Sequence, residues 1–171
     1  MAIYYTVDRL CLLSQDQEIV LRMLELPEFP DLAAHSSYLF PDGLTDHGMR
    51  YLNGSANQPD PSSELVWEYV RRAHFPDKPS RMTSFFVWRT EDEARSFRLE
   101  SGSHKAPIWR VESGDGFVAN MSLLNVSTSV LRVSQLAHFY WRGECGPQIG
   151  AMRLPRWEVL LQTPVSVLGQ I

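Results

Sequence analysis

The stretch RLPRWEVLLQTPVSVLG, residues 153–169, sets a carboxylate, Glu158, at the start of an apolar run. Trp157, Val159 and Leu161 alternate as one face of a strand does, and Leu160 is apolar as well. Such a strand needs no charge. One reading is a strand-edge glutamate turned to water by the alternation. The other is a carboxylate fixed on a rigid element beside a cleft, able to hydrogen-bond a sugar hydroxyl and stabilise an oxocarbenium ion. Contacts to a ring hydroxyl that strengthen in the transition state contribute several kcal/mol in glycosyl chemistry. That work requires a preorganised group, which a strand supplies better than a loop.

Other chemistries find little support. The five histidines, His35, His47, His74, His104 and His138, show neither HExxH nor a paired metal spacing. No GxSxG holds a nucleophilic serine, and no GxGxxG or GxxxxGK[ST] cradles a phosphate. Cys11 and Cys145 stand far apart and in no CxxC pair, so neither a disulfide framework nor a zinc site is expected.

The elements that must position Glu158 are legible in outline. IYYTV near the N-terminus is β-branched and aromatic and reads as a strand. Residues Glu18 to Glu25 fit a strand or a short helix equally. Ser62 to His74 reads as a helix whose apolar face is Leu65, Val66, Tyr69, Val70 and Ala73. Met82 to Arg89 is a strand, and Thr90 to Glu100 a helix opened by a capping box of Thr90 and Glu93. PIWRVES and GFVANMSL are strands separated by GDG, and Ser134 to Trp141 is a helix. WEVLLQ and VSVL close the chain about Pro164. Asn53 to Ser63 and Ser101 to Pro107 are loops.

Helices fall between strands early and strands dominate late. The expected fold is therefore α+β, two packed, mostly antiparallel sheets with flanking helices, and not a regular βαβ alternation. The chain has 171 residues, 44% hydrophobic and 21% charged, ordinary values for one globular domain spanning 1–171. A net charge of −4 argues against wholesale coating of nucleic acid, though not against a local basic groove. No apolar stretch approaches the ~20 residues of a membrane span, and MAIYYTVDRL has no leader pattern. A reducing cytoplasm is the expected compartment, with delivery into another cell left open.

The order of three features resembles the mono-ADP-ribosyltransferase superfamily, which includes diphtheria-like and clostridial-type toxins. These are a first strand YYTVDRL, a middle element PSRMTSFF, and a late RWEVLL followed by a polar turn and VSVL. PSR ahead of a Ser-bearing strand and YWRG before the late strand are similar to uncharacterised bacterial members. The three elements span nearly the whole chain; each motif is short, so order and spacing carry the likeness.

The resemblance implies an ADP-ribosyltransferase-like fold and transfer of ADP-ribose from NAD to a macromolecular acceptor, protein or nucleic acid, with nicotinamide released. NAD is the substrate and no metal is implied. Glu158 matches the glutamate that contacts the nicotinamide-ribose 2′-hydroxyl. Thr83 and Ser84 match the second and third positions of a Ser-Thr-Ser strand start that braces the NAD site and helps orient the glutamate. Arg9, or Thr6 close by, matches the first-strand NAD ligand; a guanidinium suits a pyrophosphate. Tyr5, or an aromatic among Phe85, Phe86 and Trp88, is placed to stack on nicotinamide. NAD is expected in a cleft between the two sheets, nicotinamide innermost.

The chain departs from the pattern at three points. Met82 replaces the first Ser, the first strand has no Arg-Gly or His-Gly pair, and Arg156 stands two residues before Glu158 where many members carry Glu or Gln. That position lies on the acceptor side, and a like charge there disfavours an arginine acceptor. Water as acceptor would give NAD hydrolysis, and a toxin-like role would imply a neutralising partner protein. The alternative is a non-catalytic module that binds NAD, ADP-ribose or a protein on a degenerate version of the fold.

Overall fold

The computed structural model describes residues 1–54, 62–124, 128–147 and 154–171. Within them two antiparallel sheets are flanked by five helices. The strands are β1 (Ala2–Val7), β2 (Glu18–Ile19), β3 (Ser84–Val87), β4 (Ile108–Ser113), β5 (Phe117–Asn120), β6 (Trp157–Gln162) and β7 (Val165–Gln170). The helices are α1 (Pro30–Leu39), α2 (Asp46–Leu52), α3 (Ser62–His74), α4 (Glu91–Glu100) and α5 (Val130–Arg142). One sheet runs β1-β4-β7-β2 and the other β3-β6-β5. They are joined where Tyr5 and Trp88 exchange backbone hydrogen bonds of 2.9 and 2.7 Å.

The space between the sheets is filled. Tyr4, Trp109, Val111, Val165 and Val167 from one sheet pack on Val87, Val159 and Leu161 from the other. The opposite face of β3-β6-β5 is covered by α3 and α5. Leu160 and Ala119 meet Trp67 and Val70 of α3 and Val133, Leu136, Ala137, Tyr140 and Trp141 of α5. The α5 set recurs at three- and four-residue spacing, the stripe of an amphipathic helix. Trp141 Nε1 donates to the carbonyl of Trp67 at 3.0 Å, which satisfies the indole and pins the two helices together.

Local signals explain most boundaries. Both halves of the Thr90–Glu93 capping box form at the start of α4. Ser129 caps α5 by accepting from Arg132 N, and Gly143 ends it in the left-handed region with φ 69°. Three expectations need revision. The buried face of α3 consists of Glu64, Trp67, Glu68 and Val70, while Tyr69 is half exposed and Ala73 lies at the surface. Two glutamates are buried there because arginines meet them. Of Glu18 to Glu25 only Glu18–Ile19 is strand; Arg22 makes an isolated bridge with Leu44. Helices α1 and α2 stand where no element was assigned. The Asn53 to Ser63 loop lies mostly outside the described residues, and Ser62 and Ser63 already belong to α3.

Candidate functional site

Glu158 is 4% exposed, so the strand-edge reading fails. It opens the central strand of its sheet, opposite Ala119 of β5. Alternation puts it on the same face as Leu160 and Gln162, turned toward α3 and α5 and away from the other sheet. A nicotinamide cleft between the sheets is thereby corrected: hydrophobic side chains occupy that space, and Glu158 projects from the opposite face.

What meets Glu158 is a guanidinium and a phenol. Arg81 Nη1 donates to Glu158 Oε1 at 2.6 Å and to Tyr140 OH at 2.5 Å, and Tyr140 OH donates to the same Oε1 at 2.7 Å. The other edge of Arg81 forks onto Glu64, with Nε to Oε2 at 3.0 Å and Nη2 to Oε1 at 3.2 Å. All four side chains are buried, so one guanidinium serves two carboxyl groups out of water. The fork fixes Arg81 in plane as well as in place. Its ring contacts complete the cage, with the guanidinium carbon 4.7 Å from the Phe86 centroid and 5.3 Å from that of Tyr140.

Each member arrives from a different element. Glu64 comes from the first turn of α3, Tyr140 from the last turns of α5, and Glu158 from the start of β6. Arg81 precedes β3 on a turn held by Ser80. The Ser80 hydroxyl donates to Glu68 at 2.8 Å, and its carbonyl accepts from Ser84 Oγ at 2.7 Å. Glu68 in turn takes Arg71 at 2.8 Å and Arg72 at 2.7 Å. Burial would lower the pKa of Arg81, but Glu64, Tyr140 and Glu158 outweigh it and hold it well above the ordinary value. Burial pushes Tyr140 well up, and Glu158 reinforces the shift against Arg81, so the phenol keeps its proton and donates it.

The residues expected from sequence fall in three places. Ser84 is buried and shares Glu158's face of the sheet, but it pairs with Gln162, four residues along β6. Its hydroxyl, like that of half-buried Thr83, is spent on the carbonyl of Ser80. They shape the turn that carries Arg81, and it is Arg81 that touches Glu158. At the end of β1, Thr6 Oγ1 donates to the carbonyl of Phe86 at 3.0 Å and Tyr5 bridges to Trp88, so both brace β3. Arg9 follows β1 at the surface, its guanidinium 5.7 Å from the Phe97 ring. Arg156 donates its backbone N–H to Asn120 Oδ1 at 3.0 Å and pairs its guanidinium with Glu100.

Sequence reasoning missed Arg81, Glu64, Tyr140 and His47 as site residues. In the sequence PSR counts only as a family likeness, and Glu64 only as part of the helix expected over Ser62 to His74. His47 on α2 stacks on Tyr51 at 4.2 Å and lies tilted against Phe86 at 4.3 Å, the ring that Arg81 also covers. Burial first, then Arg81, Arg9 and Arg50, keep its imidazole well below the usual pKa of 6.5. Phe86 is thus shared by Arg81 and His47, and Arg9 acts on His47 from the strand end. A separate hollow of about 290 Å³, lined by Arg89, Glu93, Val118, Gly143, Trp157 and Val159, includes the neighbours of Glu158 that point the other way. Among the described residues, His, Cys, Asp and Glu side chains nowhere gather in threes to hold a metal. No helix there is long and apolar enough to cross a membrane.

Residues 44–171 match the family described as "Protein of unknown function (DUF2441)". A search of curated proteins finds no match. The matched segment contains His47, Glu64, Arg81, Tyr140 and Glu158, whereas Tyr5, Thr6 and Arg9 precede it. The chain belongs to the DUF2441 family of proteins of unknown function.

Proposed function

We propose that this protein is an NAD-dependent ADP-ribosyltransferase in which Glu158 stabilises the ribosyl cation as nicotinamide leaves. The observation that carries the reading is the fixing of one Glu158 oxygen by two donors, Arg81 and Tyr140, on a central strand. Both contacts land on Oε1, and among the described residues none reaches Oε2. Oε2 is then the oxygen for the ribose 2′-hydroxyl. A carboxylate oriented before the substrate arrives needs little reorganisation as charge develops, and that is where electrostatic catalysis gains most. Arg81 orients Glu158 and does not touch the ribose. The four-residue offset of Ser84 assigns bracing of the glutamate to Arg81 and Tyr140.

On this reading the N-glycosidic bond breaks, its electron pair leaves with nicotinamide, and a macromolecular nucleophile attacks the anomeric carbon. A lost proton from that nucleophile completes the transfer. With Arg156 paired to Glu100, the acceptor side presents a neutralised cation, which suits a hydroxyl, carboxylate, amide or nucleobase acceptor. The test is incubation with NAD labelled in the adenylate and a whole lysate, then digestion with protease or with nuclease. Label in a macromolecule, released by one of the two, is expected and names the acceptor class. The absence of both macromolecular label and free ADP-ribose would reject the enzyme.

A second reading has a specific observation in its favour. Glu158 is almost fully buried and saturated at Oε1, as a structural ion-pair cluster would be. In that case the domain binds NAD or ADP-ribose without turnover. A thermal shift with NAD, unaccompanied by nicotinamide release, would identify it.

A further inference from the structure

The hollow on the face of β6 opposite Glu158 is not used by the reaction proposed above. Alternation turns Glu158 toward α3 and α5, so Trp157 and Val159 face the other way, and Val118 of β5 lies beside Val159 in register. Gly143 lines the hollow where α5 ends close on β5; a Cβ there would lie 3.2 Å from the carbonyl oxygen of Val118. Arg89, which follows β3, and Glu93, in the first turn of α4, supply its charges. The space measures about 290 Å³, at the lower end of small-molecule sites, which begin at roughly 300 Å³.

Three side chains around it are uncommitted. Trp67, Trp88 and Trp141 each pack on another ring, whereas half-buried Trp157 has no ring partner and no cation over it among the described residues. Exposed Arg89 forms no ion pair among them. Glu93 accepts the backbone N–H groups of Arg89 and Thr90 on Oε2, each at 3.0 Å, and none of the described donors reaches Oε1. The capping box thus fixes this carboxylate before any ligand arrives. Because it sits on the Arg89 backbone N–H, the two charges are separated by no more than one arginine side chain, yet they do not pair with each other. A ligand that answers all three needs a flat apolar body for Trp157, Val118 and Val159, an anion for Arg89 and a donor for Glu93, with the last two on neighbouring atoms. A nucleotide carries its phosphate and its base amine at opposite ends. A zwitterionic amino acid carries both charges on its α-carbon. We propose that this hollow binds a free aromatic α-amino acid, its ring against Trp157, its carboxylate on Arg89 and its ammonium on Glu93 Oε1. The site depends on neither Glu158 nor NAD.

The probe is L-tryptophan, titrated calorimetrically into the full chain near pH 7 beside tryptamine, which lacks the carboxylate, and N-acetyltryptophan, which lacks the ammonium. Saturable binding of tryptophan is expected, with each analogue about tenfold weaker, the worth of one charge-assisted hydrogen bond. R89Q should weaken tryptophan about tenfold and leave tryptamine unchanged. E93Q, whose amide still completes the capping box, should weaken tryptophan to the same extent and leave N-acetyltryptophan unchanged. Both positions are exposed, so neither change disturbs the core. W157A should weaken all three ligands, since each keeps the ring. No binding of tryptophan, analogues that bind as tightly as tryptophan, or a charge variant that weakens its matched analogue as much as tryptophan itself would each overturn the site. Adenosine monophosphate binding more tightly than tryptophan would assign the hollow to a nucleotide and overturn it as well.

Discussion

The side chain on which the candidate site turns is Arg81. It was legible in the sequence only as part of a short PSR, whereas Glu158 stood out as a charge inside an apolar run. Their pairing was hidden because 77 residues separate them and only the β3–β6 register brings them close. Removing Arg81 leaves two carboxyl groups buried without their cation. R81M is expected to cost about 3–5 kcal/mol in denaturant unfolding. Adding E64Q to R81M should recover part of that loss, since the amide no longer buries an unpaired charge. Additive losses in the double variant would show that the two side chains are not energetically coupled.

At the scale of elements, strands and capped helices were readable and the buried face of α3 was not. Counting apolar residues placed Tyr69 and Ala73 inward. The structure turns Glu64 and Glu68 inward instead, because Arg81, Arg71, Arg72 and Ser80 satisfy them. Hydrophobic periodicity cannot see a helix whose inner face is half ionic. Helix α2 was missed for a different reason: it is seven residues long, too short for a helical period to show. Gly48 fixes its seat, since a Cβ there would lie 2.1 Å from the carbonyl oxygen of Met82. G48A is therefore expected to destabilise the fold by at least about 1–3 kcal/mol, the usual cost of overpacking. It should also displace α2, and His47 with it, from β3. Wild-type melting and an unchanged His47 ring environment in G48A would contradict the packing described.

The molecule as a whole follows the expected α+β plan, yet Glu158 and its partners lie on the helix side of the smaller sheet. The sequence could not reveal this, because alternation gives two faces to β6 without saying which meets the helices. Three groups set its pH response. Burial raises the pKa of Glu68, but hydrogen bonds from Arg71, Arg72 and Ser80 outweigh it and bring it below the ordinary 4.5. A carboxylate shifted down contributes stability that is present above about pH 4.5 and lost as pH falls through its folded value. E68Q should accordingly flatten the acid limb of the melting curve. His47 is shifted down from 6.5, so the unfolded chain takes the proton first and stability declines as pH falls below 6.5. His138, lowered by burial, His74 and Arg142, adds in the same direction. H47Q should remove part of that slope, and melting temperatures independent of pH between 7 and 5 would refute it. The most direct measurement is nicotinamide release from NAD by the wild type and by E158Q, each shown folded by circular dichroism. Release by the wild type is expected, with a loss of at least about 100-fold in E158Q, the scale of removing one preorganised electrostatic contact. Equal release by the two folded proteins would contradict it.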